Sequence, residues 1–97
     1  MTKDQPFGRG PRAGAYCRRS IFLEGRPILR VVHGADGDWQ FLDGSEIPDD
    51  EQPMIVALKD VCKVDASVLD LAGLPRGWCA EREAEGEEWV RSPLPDL

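Results

Sequence analysis

At 97 residues, with 41% hydrophobic and 31% charged side chains, the chain has the composition of a globular protein with one buried core and too little material for two. No apolar run approaches the roughly 20 residues of a membrane span, and the N-terminus lacks the apolar centre of a secretory signal, so no membrane association and a cytoplasmic address are expected. The net charge of -6 is unevenly spread: residues 1–30 carry +5 and the remainder -11, which disfavours nucleic acid and favours a basic protein as partner.

Residues 1–15 are rich in Gly, Pro and basic side chains with little to pack, and are expected to form a flexible basic tail. Tyr16–Leu23 and Pro27–His33 have the β-branched and apolar content of strands, with Glu24-Gly25-Arg26 as the turn between them. Centring that turn on Gly25 sets Cys17 opposite His33. Gly34–Gly37 forms the next reversal, and Asp38–Asp43 alternates so that Trp39 and Phe41 share one face. Gly44–Pro53 is a polar loop, and Met54–Leu58 reads as a short buried strand. Leu58, Val61, Cys62 and Val64 have helical spacing, after which Asp65-Ala66-Ser67 caps a second short helix that Gly73 and Pro75 stop. Gly77–Glu83 alternates again, Ala84–Glu87 is a turn, and Glu88–Arg91 returns as a strand before a flexible C-terminal tail at 92–97.

The expected fold is α+β: one small domain over residues 16–91, an antiparallel β-sheet built from hairpins, with two short helices on one face. Trp39, Phe41 and Trp78 should be among its most buried side chains, and Trp89 partly exposed.

Chemistry-bearing patterns are sparse. No phosphate-binding glycine loop, dinucleotide fingerprint, nucleophile elbow or zinc-hydrolase pair occurs. DGDWQFLDG has the acid spacing of a calcium loop but places Phe41 where the bend needs glycine. Three cysteines, Cys17, Cys62 and Cys79, fit neither a disulfide framework nor a paired zinc motif, and they read as reduced thiols. Cys62 and Cys79 lie in apolar stretches as small core residues. No metal and no cofactor is expected. The carboxylates Glu81, Glu83, Glu85, Glu87 and Glu88 cluster at a hairpin tip, where a solvated run is the ordinary outcome. Two sites remain. Asp43, Glu46, Asp49, Asp50 and Glu51 form an acidic loop, stiffened by Pro48 and Pro53, that would steer a basic partner. The alternative pairs Cys17 with His33, where imidazole would activate a thiol or share a metal with it.

Taken together, ILRVVHGADGDWQFLDG, MIVALKDVCKVDASVLDLAGLP and GWCAERE resemble a family of small, mostly bacterial proteins of unknown function. More distantly, they are similar to the immunity proteins of polymorphic-toxin systems. The resemblance covers roughly residues 28–89 and singles out His33, Asp36, Gly37, Trp39, Phe41, Gly44, Leu74, Pro75, Gly77, Trp78 and Arg82. It implies a non-catalytic interaction domain, in its sharper form an immunity-type protein that binds a basic partner through an acidic surface. The alternative is a small cysteine- or metal-dependent enzyme using Cys17 and His33.

Overall fold

The computed structural model describes residues 14–95; of the expected tails 1–15 and 92–97, residues 1–13 and 96–97 lie outside them. Six strands, β1 (Gly14–Cys17), β2 (Arg30–His33), β3 (Trp39–Leu42), β4 (Met54–Ala57), β5 (Trp78–Glu81) and β6 (Val90–Pro93), form one sheet in the order β4-β1-β3-β2-β5-β6. Two α-helices, α1 (Arg19–Leu23) and α2 (Leu58–Val64), and a 3-10 helix (Ala66–Leu71) complete the α+β domain.

The hairpin of β2 and β3 follows directly from its turn residues. Gly37 sits at φ 94°, a conformation that costs glycine little. The Gly37 N–H donates to the Gly34 carbonyl at 2.9 Å, and the Asp36 carboxylate accepts from the Asp38 N–H at 3.0 Å. His33 then pairs with Trp39 and Val31 with Phe41, so alternate residues from both strands face the core.

The first expected hairpin does not form. Tyr16–Leu23 divides into β1 and α1, and β1 lies parallel to β3 rather than beside β2, so the sheet is mixed. The cause is polar. Ser20 and Arg18 are both buried and both bonded to Asp43 and Ile21 lies in the core, whereas an extended continuation of β1, in which Cys17 faces the core, would turn Arg18 and Ser20 to the other face and bring Arg19 and Leu23 in beside Ile21. One helical turn satisfies all three: Ile21 enters the core and Leu23 is left outside. The turn ends at Gly25, φ 70°, with the Glu24 and Arg26 N–H groups both donating to the Ser20 carbonyl.

The two helices expected between Leu58 and Ala72 are present, with the Asp65 side chain capping the second by accepting from the Ser67 N–H at 2.9 Å. Ile21, Leu58, Val61, Val68 and Leu71 from the helices meet Cys17, Val31, Trp39, Phe41 and Ala80 from the sheet in one buried cluster. All the helices therefore cover the same face, and the opposite face is open at its β4 end, where Tyr16, Gln40 and Ile55 are exposed, and closed around Val32 and Cys79, which are buried.

Three further expectations change. Trp78 only packs against the margin of the core, whereas Trp89 is 9% exposed and belongs to it. β4 is an edge strand rather than a buried one. The domain is also longer than residues 16–91, because Gly14 and Ala15 begin β1 and Ser92 and Pro93 end β6. Among the described residues no helix is long and apolar enough to cross a membrane.

Candidate functional site

Cys17 and His33 do not meet. Cys17 pairs with Phe41 and Met54, while His33 pairs with Trp39 and Trp78, and β3 lies between their strands. Strand geometry puts their backbones roughly 12 Å apart, beyond the reach of a shared proton or metal. Burial pushes the Cys17 thiol up to about 12, so it carries no thiolate near neutral pH. His33 is held as a structural side chain, with Nδ1 donating to the Leu74 carbonyl at 2.7 Å and the ring stacked on Trp39 at 3.9 Å. Among the described residues no group of three or more His, Cys, Asp and Glu side chains is placed to hold a metal ion.

Several residues that the resemblance singles out are the scaffold around this histidine. The Gly77 N–H donates to the His33 carbonyl at 2.7 Å, and Leu74, Trp39 and Trp78 surround its ring and backbone. Arg82 forms a second structural knot. Its guanidinium donates to the Ile28 carbonyl at 2.9 and 3.1 Å, to the Ser67 hydroxyl at 3.0 Å and to the Asp65 carboxylate at 2.5 Å, and it lies 4.1 Å over the Trp89 ring. Burial alone would raise the Asp65 pKa, but hydrogen bonds from Ser67 and Arg82 outweigh it and hold the carboxyl below its ordinary range. This knot ties the 3-10 helix to β5 and to the segment entering β2.

The acidic loop is anchored by an arginine that lies outside it in sequence. Arg18 donates through Nε and Nη2 to the two oxygens of Glu51 at 2.7 and 3.1 Å, a bidentate pair, and through Nη1 to Asp43 at 3.3 Å and Ser45 Oγ at 3.1 Å. Asp43 is 3% exposed and also accepts from the Ser20 hydroxyl at 2.7 Å, from the Ser45 hydroxyl at 2.7 Å and from the Ser45 N–H at 3.0 Å. Burial opposes ionisation of Asp43, yet these hydrogen bonds and the Arg18 charge prevail and its pKa falls to about 2. Two of the five acids, Asp43 and Glu51, therefore shape the loop from within. Glu46, Asp49 and Asp50 face solvent.

This loop stands at the end of the open sheet face. One row of cross-strand neighbours runs the full width of that face: Ile55, Tyr16, Gln40, Val32, Cys79 and Ser92. Sequence reasoning passed over this row because its members belong to six different strands. Tyr16 is 38% and Ile55 74% exposed, and Ile47 in the loop is 49% exposed. Between Tyr16, Gln40, Leu42, Ile47 and Pro53 the face and the loop enclose a groove of about 260 Å³, which Cys17 and the paired Arg18 and Glu51 also line. Such a surface can receive an apolar side chain, while the solvent-facing Glu46, Asp49 and Asp50 of the same loop attract a basic partner. Comparison of the chain with protein-family models, curated protein sequences and solved structures returns no match.

Proposed function

We propose that this chain is a non-catalytic protein-interaction domain that binds a basic partner on the open face of its sheet, in the groove beneath the acidic loop. The observation that carries the reading is a groove lined by exposed Tyr16 and Ile47, walled by the same loop that carries the solvent-facing Glu46, Asp49 and Asp50. Exposed aromatic and aliphatic side chains in a concave, polar-rimmed patch supply affinity, and the acids speed encounter. In its sharper form, which the sequence resemblance suggests, the proposal is an immunity-type protein whose groove and loop occlude a basic toxin.

The test has two stages. Cross-linking and affinity capture from the source cells identify the partner, and calorimetry with that purified partner then compares the wild type with Tyr16→Asp and Ile47→Asp. Tyr16 is 38% and Ile47 49% exposed, and each variant is compared only after its melting temperature is found within a few degrees of wild type. Affinity should fall by about a hundredfold or more if either anchors the complex, a loss of roughly 2.7 kcal/mol. Unaltered affinity in both variants would show that the partner binds elsewhere.

A further inference from the structure

The loop that walls the groove has no apolar reason to keep its shape. No residue from 44 to 53 is buried, and Ile47 is 49% exposed. A segment with few packed apolar contacts is mobile unless polar bonds hold it. Here those bonds converge on one guanidinium. Arg18 is itself fixed, 7% exposed, with its N–H donating to the Phe41 carbonyl at 3.0 Å. Its Nη1 donates to the Ser45 hydroxyl at 3.1 Å and to the Ser45 and Glu46 carbonyls at 3.4 Å, while Nε and Nη2 hold the Glu51 carboxylate. One side chain thus grips the loop near both ends, with Ile47, Asp49 and Asp50 between the grips. We infer that Arg18 is the positioning residue of the groove, and that its bidentate pair with Glu51 is the clasp that keeps the loop in place as the groove's wall; the inference rests on the binding site proposed above.

The two grips are unequal. At the first, Asp43 is buried and is also held by Ser20 and Ser45, so that end stays in place without Glu51. At the second, the Glu51 carboxylate is joined by Arg19, which donates to the Gln52 carbonyl at 3.1 Å in an exposed position. Releasing Glu51 frees residues 46–52, and Ile47 then no longer faces Tyr16, Gln40 and Leu42 across the groove. A partner would meet a loop that must be ordered at the moment of binding, which costs affinity. Because Arg18 neutralises Glu51, the pair contributes shape rather than net charge. Steering of a basic partner is left to Glu46, Asp49 and Asp50.

Glu51→Asp separates shape from charge, since it keeps the carboxylate but shortens its reach by one methylene and so breaks the two-point contact with Nε and Nη2. Backbone amide nitrogen relaxation on the full chain reads the loop directly. In the wild type the order parameters of residues 46, 47 and 49–51 should lie near about 0.8, as in the sheet; in Glu51→Asp they should fall below about 0.6, while those of β2 and β3 stay unchanged. Affinity for the purified partner should fall about tenfold or more in the same variant, although its net charge is that of the wild type. A loop already below about 0.6 in the wild type overturns the inference. So does a loop that stays ordered in Glu51→Asp, or order lost equally in β2 and β3. Undiminished affinity of Glu51→Asp, where Tyr16→Asp and Ile47→Asp bind weakly, overturns it as well. If those two variants bind as the wild type does, the proposed site fails instead, and the order parameters alone decide the role of Arg18.

Discussion

The Asp43 carboxylate, buried among Ser20, Ser45 and Arg18, makes the acid sensitivity of this fold calculable. Its pKa falls from the ordinary 3.8 to about 2 in the folded chain. A carboxyl that is more acidic when folded contributes stability that is complete above its unfolded pKa. That stability is lost as pH falls through the folded value, here between about pH 4 and pH 2. At about 1.4 kcal/mol per pH unit the contribution is roughly 2 kcal/mol. Asp43→Asn keeps the shape and removes the titration. Urea unfolding of wild type and Asp43→Asn at matched pH values should therefore show the variant less stable at pH 7. The gap should narrow by roughly 2 kcal/mol as the pH is lowered to 2. Asp65 titrates in both proteins and cancels in the difference. A gap that stays constant from pH 5 to pH 2 would refute the assignment of that acid sensitivity to Asp43.

Two further outcomes follow from the interior. Arg82→Ala leaves the Asp65 carboxylate and the Ile28 carbonyl without their partner and opens space over Trp89, so it should cost about 3–5 kcal/mol in urea unfolding. Arg82→Lys should recover little of this, since an ammonium cannot serve Ile28, Ser67 and Asp65 together while lying flat on the indole. Thiol alkylation in the native protein should reach the partly exposed Cys62 first. Cys17, buried and with its pKa pushed up to about 12, should react only as fast as the protein unfolds, which mass spectrometry of quenched samples reads directly.

How much of this was legible beforehand depends on the range of the interactions. The Gly34–Gly37 turn, the shared face of Trp39 and Phe41, and the cap at Asp65 rest on residues within a few positions of one another, and each was readable as a pattern. Tyr16–Leu23 was not, because its strand-like composition is overruled by Asp43, which draws Arg18 and Ser20 inward and folds the segment into a helical turn. The acidic loop was visible as a run of charge, but its division into the anchored Asp43 and Glu51 and the outward Glu46, Asp49 and Asp50 depends on Arg18, a neighbour only in space. Trp78 and Trp89 exchanged places for a similar reason: the Arg82 guanidinium gives Trp89 a buried surface to lie against. The groove itself has no sequence signature, since it joins β1, β3 and the loop.

The strand order carries a consequence for how the chain reaches this structure. Among the described strands, β2 with β3 and β5 with β6 are the neighbours joined by the shortest connections, and these hairpins can form early. The other ladders join distant segments, Tyr16 to Gln40 and Ile55, and Val31 to Ala80. Loop-closure entropy is spent on each before its contacts stabilise anything, which places the domain among the slower folders of its size. During synthesis β1 emerges first, yet it has no neighbour until β3 arrives and no second one until β4. The apolar residues of β1 and α1 therefore wait for partners, and this opening segment, rather than the hairpins, is where an unfinished chain is most exposed to misassociation.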